Sequence, residues 1–326
     1  MHKPYSVKRG AIINLIGFAI LSAGLLIPVL SGGLKNYYIG IIISALINVI
    51  MAVSLNLVTG LLGHLALGHS AFMAVGAYAS AMVSIKIGLN NPMMFPLALL
   101  FGGVCAALVG ILIGIPALRL RGDYLAIITL GFGEIVRILI INMPFLGGAR
   151  SLRGIPRVTS VPSAYFTAAA VVLIMFTLGR SRHGRAILSI REDEVASISS
   201  GIPTTFYKIL AFSLGSFFAG IAGGLYAHYV GTLNPNTFNF GKSIEYLVMV
   251  VLGGMGSITG AVCAAIVLTI LPEALRGFNN YRMVIYSLAL VLMMLFRPSG
   301  LLGTAEFSLG RLLTQRRGIS FKPGKG

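Results

Sequence analysis

The sequence predicts an all-α, polytopic transmembrane helical bundle of about ten spans, and three observations lead there. Of its 326 residues, 56% are hydrophobic and only 10% are charged. Mean hydropathy is +0.92. The apolar residues also come in blocks close to the roughly 20 residues that cross a hydrocarbon core of about 30 Å. Ala11–Leu30, Ile39–Val58, Phe95–Pro116, Val161–Leu178 and Ile209–Ala227 contain no Asp, Glu, Lys or Arg. Unbroken apolar blocks are the mark of membrane helices; a membrane β-barrel would show weak alternating segments instead.

Taken in order, the candidate spans cover 11–30, 38–58, 66–85, 94–116, 124–142, 162–179, 208–228, 240–253, 258–272 and 281–297. The opening "MHKPYSVKRG" has a basic flank, but the apolar block after it is too long for a signal peptide and lacks a small-x-small cleavage site. It reads as an uncleaved first span with its N-terminus in the cytoplasm. Between 240 and 272 the only interruption is "GGMGSITG" (Gly253–Gly260), so one long span or two would fit. Parity favours two. Lys3, Lys8 and Arg9 at one end, and Arg311, Arg316, Arg317, Lys322 and Lys325 at the other, both belong in the cytoplasm, which requires an even count. "VTGLLGHLALG" (Val58–Gly68) and "VLGGMGSITG" (Val251–Gly260) then lie on one side as a weak internal repeat.

The net charge of +17 would suggest nucleic acid in a soluble protein. Here Lys and Arg flank apolar blocks, where they set topology and meet anionic headgroups, so the partner is membrane lipid and no nucleic acid is expected. Cys105 and Cys263 stand alone inside apolar blocks. They read as small packing residues, not as a metal or redox motif. Two small-residue ladders, Gly102/Ala106/Gly110/Gly114 and Gly215/Ala219/Gly223/Ala227, predict close helix packing, within one subunit in preference to a dimer seam.

One stretch breaks the pattern. "GRAILSIREDEVASISSGI" (Gly184–Ile202) is polar, with Arg185, Arg191, Glu192, Asp193 and Glu194. Its spacing predicts a helix starting at Ser189, with Glu192 completing a capping box and the three acids in the first turn. Gly201 and Pro203 supply the stop. Leu188, Val195, Ile198 and Ile202 then share one apolar face. Such a helix either rests in the headgroups or docks into a partner's groove; the residues alone leave both open.

Four segments stand in order: "GHLALGHSAFMAVGAYASA" (Gly63–Ala81), "LRGDYLAIITLGFGEIVR" (Leu120–Arg137), Gly184–Ile202, and "GGLYAHYVGTLNPNTFNFGKSIEYLVMVVLGGMGSITGA" (Gly223–Ala261). With "LFRPSGLLG" (Leu295–Gly303), they make the chain resemble, from about Ile41 onward, the permease subunits of branched-chain amino-acid importers of the ATP-binding-cassette type. In "LGGARSLRGIP" (Leu146–Pro156), Leu146 and Ser151 stand where many relatives carry Thr and Gly.

The resemblance implies one permease domain over residues 1–326, of the type II importer kind, in a bacterial or archaeal cytoplasmic membrane. It implies a second homologous permease subunit, two cytoplasmic ATPase subunits and a periplasmic or lipid-anchored substrate-binding protein. It also implies that a coupling helix at about 184–203 engages the ATPase through Gly184, Arg185, Arg191, Glu192, Asp193, Glu194 and Gly201. The expected substrates are leucine, isoleucine and valine, with urea, short amides or sugars as the alternative within the superfamily.

No cofactor is expected on this chain, and ATP and Mg belong to the partner ATPases. A P-loop needs G-x-x-x-x-G-K-[ST], and before "GKS" (Gly241–Ser243) the required glycine position is Asn236. No H-E-x-x-H, G-x-S-x-G or paired carboxylates suggest an enzyme, so the chain reads as a pore-forming subunit. Glu134 and Arg137 share a helix face inside a span, and Glu245 follows Lys242 by one turn. Both pairs read as structural first and pathway second. An ion-coupled secondary transporter would need such groups unpaired. His64 and His69 are five apart, poor spacing for a metal, and read as turn residues or pore lining. Arg150, Arg153 and Arg157 fall on the external side, where carboxylates of the binding protein could pair with them.

Overall fold

The computed structural model describes residues 35–88, 94–118, 120, 122–296 and 300. The predicted span 11–30, the basic residues of both termini, Arg119, Arg121 and most of "LFRPSGLLG" lie outside the described residues.

The described chain is helical. α1 (Asn36–Asn56) continues as a π-helical turn, Leu57–Leu61. Then come α2 (His69–Ile87), α3 (Met94–Ala117), α4 (Asp123–Asn142) and α5 (Val161–Arg180). Two short polar helices follow, α6 (Arg182–Glu192) and α7 (Glu194–Ser199). The rest is α8 (Thr204–Val230), α9 (Phe240–Gly253), α10 (Ile258–Ala274) and α11 (Arg282–Phe296). Among the described residues, six helices are long and apolar enough to cross a membrane: Asn36–Leu61, Met94–Ala117, Tyr124–Asn142, Val161–Arg180, Thr204–Val230 and Ile258–Gly277. The break between 240 and 272 is real, since α9 and α10 are separate helices divided at Gly254–Ser257.

Burial separates centre from rim. The central windows of the first and fifth of these spans are 78% and 67% buried, against 22% for α4. α8 packs on α2 and α3, and α1 on α5, α8 and α10. Leu97, Leu108 and Leu112 of α3 are instead largely exposed, as lipid-facing side chains are.

The two small-residue ladders explain the central contacts. A Cβ on Gly223 would stand 2.0 Å from the Met73 carbonyl oxygen, and one on Gly76 would stand 2.2 Å from the Gly220 Cα. Only glycine lets α2 and α8 touch backbone to backbone, where dispersion and weak hydrogen bonds hold helices in lipid. Both ladders pack inside this one chain.

Three stretches outside the α-helices enter the bundle: Leu62–Gly68 before α2, Gly231–Asn239 before α9, which includes the 3-10 turn Pro235–Phe238, and the turn Gly254–Ser257. Irregular backbone packed inside a bundle survives only where protein satisfies it. Leu67 N–H donates to Thr129 Oγ1 (3.0 Å), and Tyr78 donates its hydroxyl to the Leu233 carbonyl (3.2 Å). Leu233 also exchanges two backbone hydrogen bonds of 2.9 Å with Leu152. The Ser70 and Ser243 hydroxyls lie 2.7 Å apart, joining the first turns of α2 and α9.

Candidate functional site

The polar island folds differently from the single helix its spacing predicts. Ser181, not Ser189, starts it, and its hydroxyl accepts from Gly184 N–H (3.1 Å). The helix ends at Glu192 because Asp193 adopts extended backbone (φ −156°, ψ 111°) and turns its carboxylate on the next segment. Asp193 Oδ1 accepts from Val195 N–H (2.8 Å) and Ala196 N–H (3.0 Å), capping α7. A carboxylate that can satisfy two orphan amides competes with helix continuation. So Glu192 closes one helix, Asp193 caps another and Glu194 alone lies in a first turn. The predicted apolar face is correspondingly divided: Leu188, Val195 and Ile198 are exposed, while Ile202 packs partly against the core.

Several contacts fasten this segment to the bundle. Ile187 and Ile190 are buried. Gly184 is tight because a Cβ there would meet the Leu178 carbonyl oxygen at 2.2 Å. Arg185 Nη1 donates to the Arg180 carbonyl (3.1 Å). Gly201 has φ +79° with open space around it, so its backbone conformation requires glycine, not lack of room.

Two contacts span long sequence distances. Lys208, with its side chain 7% exposed, holds Glu194 at 2.6 Å. Arg191 Nη1 donates to the Gly60 carbonyl at 2.6 Å, on the π-helical turn; such turns occur frequently at functional sites. Arg191 also lies against the second glycine turn, since a Cβ on Gly256 would come 3.1 Å from Nη1. Asn56 completes the knot. Its Oδ1 accepts from Gly256 N–H (2.9 Å), and its Nδ2 donates to the Ser257 carbonyl (3.1 Å). The two glycine-rich motifs therefore meet, and Arg191 bridges them to α6.

The two histidines do not form a joint site. His69 is fully buried, with Nε2 2.8 Å from Ser54 Oγ. His64 lies on the linker before α2, and its buried Nε2 has no hydrogen-bond partner among the described residues. Burial, reinforced by the nearby Lys208 ammonium, holds its imidazole below the ordinary pKa of 6.5. Among the described residues no group of His, Cys, Asp and Glu could hold a metal ion.

Both acid–base pairs form. Arg137 Nε meets Glu134 at 2.7 Å, and its Nη1 donates to Asn236 Oδ1 (2.9 Å), tying α4 to the turn before α9. Lys242 Nζ meets Glu245 at 2.6 Å.

Arg150, Arg153 and Arg157 lie on the loop before α5, while α6 follows its other end. The 20 residues of α5 separate the two regions by about 30 Å. All three arginines are exposed, and Arg157 Nε donates to the Val230 carbonyl (3.1 Å). Ser151 has φ +73° in this loop, a conformation suited to the glycine that the resemblance places there.

Sequence reasoning missed Asn56, Gly60 and Lys208. Asn56 inside an apolar block was a signal; nothing local marked the partners it and Arg191 find.

The family model described as branched-chain amino acid transport system / permease component matches residues 37–296. The chain is 40% identical over 292 residues to the high-affinity branched-chain amino acid transport system permease protein LivM of Escherichia coli (strain K12), covering 79% of this chain and 68% of that one. The LivM protein of Salmonella typhimurium matches with the same identity and coverage. The permease protein LivH of Escherichia coli (strain K12) is 33% identical over 140 residues, or 42% of this chain and 45% of LivH. No solved structure matches.

Proposed function

Because this chain belongs to the family of branched-chain amino acid transport system permease components, a multi-pass inner-membrane subunit, we propose that it carries leucine, isoleucine and valine inward as half of an ATP-driven pore. It is a transport subunit and not an enzyme. A second, homologous permease forms the other half. Two cytoplasmic ATPases bind ATP and Mg, and a periplasmic or lipid-anchored binding protein delivers the substrate.

The observation that carries this reading is the bridge from α6 through Arg191 to the Gly60 carbonyl and the Gly254–Ser257 turn. In this reading α6 and α7 form the coupling segment within 184–203. Exposed Leu188, Val195 and Ile198, with Glu192 beside them, enter a groove of the ATPase. Motion of that groove pulls on Arg191, which is anchored to both glycine turns, so helix bundles move as rigid bodies between inward- and outward-open states. Gly184, Arg185 and Gly201 give the segment its shape; Asp193 and Glu194 hold its two halves.

One permease domain over residues 1–326 with ten spans follows. The six long helices, α2, α9 and α11, and the apolar stretch 11–30 add to that number, consistent with a type II importer. The α6–α7 end is then cytoplasmic, and Arg150 and Arg153 face outward toward the carboxylates of the binding protein. Arg157 braces the same loop against α8. His64, His69, Glu134 and Arg137 serve as structural elements around the pathway.

The test is complementation. Cells deleted for the chain and its redundant transporters should recover labelled leucine uptake when it is restored, with isoleucine and valine competing and urea and glucose not. Uptake inhibited by urea but not by valine would overturn the substrate assignment.

A further inference from the structure

The geometry points to a resting site for the free amino acid inside this subunit, in the cavity between α1, α8 and α9, where Lys242 receives the α-carboxylate and the Ser44 hydroxyl and Asn48 amide oxygen receive the α-ammonium. This deepens the permease reading and rests on it.

Four observations converge. First, the cavity measures about 170 Å³, below the roughly 300–1,000 Å³ of pockets for drug-sized ligands, so it suits a small molecule. Second, its place is right for a pathway. Ser44, Ile47 and Asn48 line it from one face of α1. Ser44 is eight residues from Asn36, about 12 Å along the helix, at the half of the bundle remote from α6. Third, its lining is mixed. Ile47, Met73 and Phe238 offer apolar surface, while Ser44, Asn48 and Thr237 offer polar groups. Ser44 Oγ has no hydrogen-bond partner among the described residues, whereas Asn48 is already bonded to Thr269 (2.9 Å).

The fourth observation is the charge. Lys242 lines the cavity, sits 2.6 Å from Glu245 and lies 5.5 Å from the Tyr246 ring centroid. The Lys242 and Glu245 side chains are 32% and 40% exposed, so a solute entering the cavity can reach the Lys242 ammonium. A zwitterion matches this lining: its carboxylate takes the Lys242 ammonium, and its α-ammonium donates to the oxygens of Ser44 and Asn48. The branched side chain then meets Ile47, Met73 and Phe238. A cationic analogue lacks the carboxylate that meets Lys242, and an anionic one lacks the donor for Ser44 and Asn48.

The probe is L-leucine itself, on the full complex with ATPases and second permease but without the binding protein. Cys105 and Cys263 are replaced by alanine, Ser44→Cys is introduced, and its labelling by a maleimide is timed. Leucine at about ten times its dissociation constant should slow labelling roughly tenfold, because only unoccupied sites react. Leucine amide and the α-keto acid of leucine should give little protection. Adding Lys242→Met should abolish the leucine effect, and Lys242→Arg should keep part of it. Equal labelling with and without leucine, in a complex whose leucine uptake is intact, overturns the site and leaves the permease reading standing. Protection that survives Lys242→Met overturns it equally. Should Ser44→Cys fail to assemble, Thr237→Cys reports the same two outcomes. A complex that never transports leucine strikes the permease reading instead.

Discussion

Replacing Arg191 by alanine should uncouple ATP hydrolysis from transport while leaving the protein folded. The guanidinium makes a 2.6 Å charge-assisted hydrogen bond to the Gly60 carbonyl. Its stem fills the space beside Gly63, where a Cβ would stand 2.8 Å from Arg191 Cγ. A hydrogen bond to a charged group contributes about 1.5–3 kcal/mol. If that bond is the mechanical link, its loss weakens coupling between ATPase and pore by up to the same amount, about ten- to hundredfold at 1.4 kcal/mol per tenfold. Arg191→Lys should fall between, since an ammonium can reach one carbonyl but lacks the planar fork. The assay measures leucine uptake and ATP hydrolysis on the same reconstituted vesicles. The expected result is at least about tenfold more ATP consumed per leucine in Arg191→Ala, with ATPase assembly retained. Uptake per ATP within about twofold of wild type would refute the link, since the bond would then contribute under ~0.5 kcal/mol.

Two further expectations concern the same segment and a third concerns His64 beside it. Asp193→Ala removes the cap of α7 and should destabilise it by about 0.5–2 kcal/mol, whereas Asp193→Asn should be nearly neutral; limited proteolysis at 194–199 reads the difference, and equal cleavage of the two would contradict it. Glu194→Ala leaves the buried Lys208 ammonium without that carboxylate and should cost about 3–5 kcal/mol of stability, largely restored in the double variant with Lys208→Met; a thermal melt in detergent showing no restoration would remove the pair's proposed role. The depressed pKa of His64 has a definite sign. The unfolded chain takes up the proton near 6.5 and the folded chain only at lower pH, so stability is fully present above that value and falls as pH drops through it. His64→Gln should flatten this dependence in melts taken from neutral to mildly acid pH, and an unchanged slope would assign it to other groups.

Much of the bundle was legible because apolar blocks are a long-range requirement written locally. The candidate spans 94–116, 124–142 and 162–179 became Met94–Ala117, Asp123–Asn142 and Val161–Arg180. Glycine breaks at 253–260 were legible for the same reason: no Cβ, no preference for continuing the helix. The polar island was only half legible. Ser189 with Glu192 imitates a capping box, yet Ser181 starts the helix, about two turns earlier, which brings Ile187 and Ile190 into the buried face. Asp193 then ends it by bonding forward, a choice between two local hydrogen-bonding schemes that spacing alone does not decide. The partners of the site lie further from view. Arg191 finds Gly60 across 131 residues, and Asn56 finds Gly256 across 200. Both contacts exist only once α1, α6 and the turn before α10 have been packed together.

The most direct measurement is leucine accumulation in sealed vesicles, first with this chain alone and then with the second permease, the ATPases, the binding protein and ATP. Uptake that appears only in the complete, ATP-supplied system, and that collapses when Arg191 is replaced, is the expected result. Concentrative uptake by the lone chain on an ion gradient would contradict the account at its root.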